Sequence, residues 1–242
     1  MFPEIAACVT GTTLGAGGYA YAAMWPTSQI FGRAIVAGGD ANEIALTFDD
    51  GPNEPYTGRL LDLLARFEVR ATFFMIGRFV RQRPDLVRQV RSAGHLIGNH
   101  TMTHPALVFR SPARVRAELA GCNASLEDAL GEPVHYFRPP HGARRPDVLR
   151  QARQLGLVPV LWNATGFDWT EDADAARIEA RLAGVIRRNR RRGRGSNLLL
   201  HDGGQVGIGQ NRSATLAAVA RLVPRLMAQG SRFVTVDAWG VP

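Results

Sequence analysis

The chain of 242 residues contains no lysine; all 29 of its basic residues are arginine. That absence removes Schiff-base chemistry, lysine general bases and lysine-dependent phosphate loops. Cysteine is nearly as scarce. Cys8 and Cys122 lie far apart in unlike contexts, so they form neither a disulfide framework nor a metal-binding spacing. Cys122, in Ala120-Gly121-Cys122, reads as a small buried hydrophobe on a helix. Internal repeats of the solenoid or propeller kind are missing, as is any disordered composition.

Charge is missing altogether from residues 5–25. A run of about 20 residues can cross a bilayer. Four glycines (Gly11, Gly15, Gly17, Gly18) and three threonines make this one only mildly apolar, and no basic residue precedes it as in a secretory signal. Three readings follow: a short membrane anchor, a truncated export signal, or a Gly-rich helix covering the domain. The anchor is preferred, and with it an extracytoplasmic or membrane-anchored location. Residues 1–40 are accordingly read as an apolar segment with its lead-in, and 41–242 as one domain of a size that supports a single core.

The net charge of +8 suits an anionic partner such as a wall polymer or a lipid surface. The densest basic run, Arg187 to Arg194, has no interleaved aromatics for base stacking and follows a helical pattern. It reads as a solvated helix end, and nucleic acid is not expected as a partner.

From Asn42 to Trp239, short apolar strands alternate with amphipathic helices. Strands are predicted at Ile44–Phe48, Ala71–Ile76, His95–Gly98, Val134–Phe137, Leu157–Leu161, Asn197–Leu200 and Phe233–Val236. Helices are predicted at Tyr56–Phe67, from Pro84 to Gly94, from a Ser111-Pro112 cap to about Leu130, and near Asp147–Leu155, Asp174–Arg188 and Ala214–Met227. About seven such repeats in about 200 residues imply a parallel sheet closing as a distorted (β/α) barrel, whose strand carboxyl ends converge on one face. Asp49-Asp50, His100, Arg138, Asp168 and His201 each follow an apolar run, so they can share a pocket.

Asp49-Asp50-Gly51-Pro52 by itself is an ordinary polar turn. Adjacent carboxylates can also divide labour, one binding a metal and the other contacting a water on it. His100 and His104 are four apart, which on a helical turn places both rings on one face; with an Asp they make a three-point site with open positions. Arg138-Pro139-Pro140-His141-Gly142 is stiffened by two prolines, and its Arg is placed to pair with Asp49. Asp168-Trp169 offers a carboxylate beside an aromatic plate for a sugar face, and His201 ends a buried strand in a ring suited to general acid duty.

Taken in order, Thr47-Phe48-Asp49-Asp50-Gly51-Pro52, Asn99 to Pro105, Arg138 to Gly142, Asp168-Trp169 and Leu199-Leu200-His201 resemble the five motifs of the NodB-homology polysaccharide deacetylases, carbohydrate esterase family 4. The resemblance implies a divalent metal, usually zinc with cobalt or nickel as alternatives, held by Asp50, His100 and His104. It makes Asp49 the base tethered by Arg138, and His201 the acid oriented by Asp168. Leu199 and Trp169 would line the acetyl pocket, and Pro140 and the backbone N–H of His141 would meet the substrate. His141 stands where the family commonly has tyrosine, so its ring bears on substrate choice or is a third histidine at the metal. The implied reaction removes N-acetyl groups from an N-acetylglucosamine polymer, chitin oligomers or peptidoglycan. Alternatives are a deacylase or deformylase of a lipid-linked amino sugar, and a non-catalytic glycan-binding protein.

Overall fold

The computed structural model describes residues 17–240. Cys8 and most of the uncharged N-terminal run lie outside the described residues. The central strand β1 (Glu43–Gly51) is hydrogen-bonded in parallel to β2 (Thr72–Met75) and to β7 (Ser196–His201). Buried almost end to end, it carries the near-continuous apolar run that a parallel strand covered on both faces requires. Outward from β2 lie β3 (Leu96–Asn99), β4 (Tyr136–Phe137) and β5 (Val158–Pro159); outward from β7 lies β6 (Ala164–Thr165). A last short strand, β8 (Arg232–Phe233), pairs with the start of β1. The seven-strand path β5-β4-β3-β2-β1-β7-β6 curls into a half-barrel left open between β5 and β6, the distorted barrel expected of the sequence.

Helices α1 (Tyr56–Arg66), α2 (Gly77–Gln82), α3 (Pro84–Ser92), α4 (Pro112–Leu130), α5 (Pro146–Gln154), α6 (Ala175–Arg191) and α7 (Ser213–Ala228) surround the strands. Their ends follow local chemistry. Ser111 caps α4 by accepting from the Arg114 N–H, and Gly131, at φ 72°, ends it in a left-handed turn. Asp174 caps α6 through the N–H groups of Ala176 and Arg177. Leu60 and Leu64 on α1, Val87 and Val90 on α3, and Leu222 and Val223 on α7 pack onto β1 and β2 through Phe48 and Phe73 in one apolar core. Cys122 is buried on α4 as anticipated, its Sγ donating to the Met75 carbonyl.

Several expectations need correction. Asp49 and Asp50 belong to β1 itself and do not form a turn after it. Strand β6 and helix α2 have no counterpart in the predicted pattern, because a two-residue strand and a six-residue helix are too short to show a period. Of the expected strand Phe233–Val236, only Phe233 belongs to β8; Val234 and Thr235 are irregular, and Val236 opens a 3₁₀ turn, Val236–Trp239.

Residues 17–24 are helical, and among the described residues no helix is long and apolar enough to cross a membrane. The following stretch is fixed to the barrel. Arg144, only 1% exposed, donates through its guanidinium to the carbonyls of Trp25 (2.8 Å) and Ser28 (2.7 Å), and through its N–H to Ala23 (3.0 Å). Ile35 then pairs beside β5 through Pro159 and Leu161. Residues 23–35 therefore form part of the wall at the open side of the half-barrel.

Candidate metal and catalytic site

At the carboxyl ends of the strands lies a cavity of about 430 Å³. Asp49, Asp50, His100, His104, His141, Trp169, Leu199 and His201 all line it, so eight residues singled out in the sequence meet in one place. Asp168 and Arg138 lie buried behind them.

Adjacent strand residues normally face opposite sides of a sheet. Here the register of β1 against β2 slips between Asp49 and Gly51, and Asp50 takes φ 74°. The bulge re-aims Asp50 so that both carboxylates reach the same imidazole: Asp50 Oδ1 is 3.4 Å and Asp49 Oδ2 3.7 Å from His100 Nε2. The end of β7 must lie directly against this bulge. A side chain at Gly203 would run into the Asp50 carbonyl, which only glycine avoids.

His100 and His104 do meet, with ring centroids 4.9 Å apart, but not on a helix. Residues 100–106 form a loop in which Thr101 (φ 68°) and His104 (φ 60°) are left-handed. Asn99 Oδ1 accepts from the Thr101 N–H, and Thr101 Oγ1 from the His104 N–H, so side chains replace the missing helical bonds. Among the described residues, four of the six non-glycine residues with positive φ fall in the site motifs, Asp50, Thr101, His104 and His141; Phe167 directly precedes the Asp168-Trp169 motif, and Glu68 is the sixth. Each such conformation costs on the order of 1–3 kcal/mol and persists only where the surroundings enforce it.

The ring nitrogens are assigned by their partners. His100 Nδ1 donates to the Arg138 carbonyl and His104 Nδ1 to Gln205 Oε1, each at 2.8 Å. Both Nε2 atoms therefore keep their lone pairs, and Asp50 Oδ1 lies 3.4 and 3.2 Å from them. Burial, then the neighbouring His100, pushes His104 down to about 3, which keeps it neutral. Asp50, although burial alone would raise it, is held below the usual carboxylate range by His100, His201 and His104. Asp50 Oδ1 is buried and accepts no hydrogen bond. An orphaned carboxylate oxygen facing two imidazole lone pairs, all within 4.8 Å, is a donor set that fits a divalent metal ion. His141 stacks edge-on against His104 at 4.9 Å but stands outside this group.

Asp49 Oδ1 accepts from Arg138 at 2.8 Å. Arg138, fully buried, also donates to Thr47 Oγ1 (2.7 Å) and Leu161 O (3.2 Å), and lies 4.3 Å over the Phe74 ring. Asp168 accepts from His201 twice, at the backbone N–H (2.8 Å) and at Nδ1 (2.9 Å), and from the Thr215 hydroxyl. Burial depresses His201, yet the charge and hydrogen bond of Asp168, with Asp50 and Asp49 behind it, outweigh burial and raise it to about 9. Trp169 stands edge-on to His201 at 5.1 Å, with Leu199 buried beneath.

Other residues here were not anticipated. Gln205, which fixes His104, and Trp162, which lines the cavity, carry no local signal. Asn197 and Thr47, which support Arg138, look like ordinary strand residues. Asp202 follows His201 directly and could have been noticed. It is buried with one oxygen on the Thr57 hydroxyl and the other unpaired; burial above all, then Asp50, pushes it up to about 7.

A half-barrel of parallel strands carrying an Asp–His–His cluster at its carboxyl-end face defines the NodB-homology carbohydrate esterase 4 class. The polysaccharide deacetylase family model matches residues 37–160, and the chain belongs to that family. It is 40% identical to a peptidoglycan-N-acetylglucosamine deacetylase of Bacillus cereus over 196 residues, 80% of this chain and 86% of that protein. It is 37% identical to a chitooligosaccharide deacetylase of Rhizobium leguminosarum bv. trifolii over 200 residues, 80% of this chain and 90% of the relative. The crystal structure of a peptidoglycan N-acetylglucosamine deacetylase superimposes with a TM-score of 0.75 at 29% identity, over 84% of this chain and 91% of that one.

Proposed function

We propose that the chain hydrolyses the acetamido groups of an N-acetylglucosamine polymer, chitin oligomers or peptidoglycan, in a metal-dependent reaction. The observation that carries this reading is the unpartnered Asp50 Oδ1 aimed at the two histidine lone pairs. Two imidazole nitrogens and one carboxylate suit zinc first, and cobalt or nickel next. A divalent ion on Asp50, His100 and His104 supplies Lewis acidity toward the amide carbonyl and lowers the pKa of water.

The remaining work falls to the chain's own groups. Asp49 keeps Oδ2 free while Arg138 fixes Oδ1, so it can accept a proton from the attacking water. The His141 backbone N–H, on a loop stiffened by Pro139 and Pro140, would donate to the developing oxyanion. His201, held by Asp168 through Nδ1, presents Nε2 to the departing amine, and its elevated pKa has it charged at neutral pH. Leu199 and Trp169 enclose the acetyl methyl.

Acetate release should vanish on chelation and return on adding back zinc or cobalt, measured on chitooligosaccharides and on peptidoglycan. Full activity in a preparation shown by metal analysis to be metal-free overturns the proposal.

The acid also sets an alkaline limit. His201 acts when protonated, so kcat should fall as pH rises through its folded-state pKa, about 9 before a metal offsets the charges of Asp49 and Asp50, and somewhat lower after. In Asp168→Asn that limb should move to lower pH. An unmoved limb removes His201 from the role of acid.

A further inference from the structure

Past the catalytic cavity, across the indoles of Trp162 and Trp169, lies a second concavity of about 490 Å³ that shares both rings as a common wall. Its opposite side is built by Trp25 and its neighbours, and Phe167 and Arg188 of α6 lie along it. Trp25 is 56% exposed, and Phe167 and Trp169 are each 44% exposed. Three large aromatic rings left in water around one groove mark a surface that binds something.

Trp25 precedes the stretch matched by the family model. Its place is nevertheless fixed. Arg144 holds its carbonyl, and the Tyr21 ring stacks behind the indole at 6.0 Å and 20°. Both contacts position the ring while leaving it facing solvent.

We infer that this groove is a glycan subsite, in which Trp25, on the side of the groove away from the catalytic pocket, receives a sugar beyond the one adjoining the deacetylated residue. The inference rests on the deacetylase reading, and names where a polymeric substrate leaves the catalytic pocket. A β-linked pyranose carries its polar substituents around the ring edge and exposes C–H groups on its faces. Such a face stacks on an indole while its hydroxyls stay wet, which suits flat, half-exposed rings. Arg188 and Thr27 stand beside the rings to meet the hydroxyls or an acidic substituent. An alkyl chain would instead call for a closed aliphatic slot, and this groove opens to solvent along exposed aromatics.

The test compares Trp25→Ala and Trp25→Phe with the unaltered chain, using N-acetylated chitobiose and chitotetraose, in kinetics and in calorimetric binding. Trp25→Ala should raise KM for the tetramer about tenfold, the cost of truncating an aromatic anchor. Its kcat, its kinetics on the dimer and its melting temperature should hold, and Trp25→Phe should recover most of the loss. Equal losses on dimer and tetramer, or none on either, overturn the subsite. So does a groove that binds a dodecyl glycoside through Trp25 but not chitotetraose. If the unaltered chain releases no acetate yet binds the tetramer through Trp25, the subsite stands and the deacetylase assignment falls. If it neither cleaves nor binds, both fall.

Discussion

Asparagine in place of Asp49 is expected to lower kcat for acetate release by about 10²- to 10⁴-fold, the usual worth of a positioned general base. Metal content should be unchanged. The two oxygens of Asp49 have separate duties: Oδ1 accepts from Arg138, while Oδ2 faces the cluster 3.7 Å from His100 Nε2. An asparagine can keep its carbonyl oxygen on Arg138, so the strand end and the three putting their donors together, Asp50, His100 and His104, stay as they are. What it cannot do is take up a proton. Paired measurements of turnover and bound metal on the same sample separate the two duties. Activity within a few-fold of the unaltered chain would mean that the proton goes elsewhere; loss of metal together with activity would make Asp49 a ligand.

The fold was legible because each long element carried its own period and its own caps. The all-buried run of β1, the Ser111-Pro112 start of α4 and the Asp174 cap of α6 are local properties. The site was legible for a related reason: on a parallel sheet, a residue at or just beyond a strand's carboxyl end needs no long-range information to be assigned to the shared face. The geometry within that face was less so. A spacing of four suggested a helical turn for His100 and His104, whereas a loop with two left-handed residues brings them together. The bulge at Asp50 leaves no trace in an alternating pattern, since it depends on a mismatch with β2. Gln205, Trp162, Thr47 and Asn197 act through residues 24 to 101 positions away, and nothing near them in the chain signals a partner.

Arg138→Met should be among the most destabilising substitutions in the molecule, about 3–5 kcal/mol, because it leaves the Asp49 carboxylate buried without its counter-charge. For a chain of this size that is a fall in melting temperature on the order of 10 °C. The guanidinium also ties together parts remote in sequence: Thr47 and Asp49 on β1, Leu161 after β5 and Asn197 on β7. It thus spans the open seam between β5 and β6 from the inside. Two origins of the loss can be told apart by the double variant Asp49→Asn with Arg138→Met. If the unpaired charge dominates, removing it should return most of the lost stability, and the two substitutions will be far from additive. If bridging the seam dominates, the double variant will melt as low as Arg138→Met alone. The first outcome is expected, because methionine still packs over Phe74, where the guanidinium now sits 4.3 Å from the ring, and the seam keeps the Asn197 side chain, which donates to the Leu161 carbonyl at 2.7 Å.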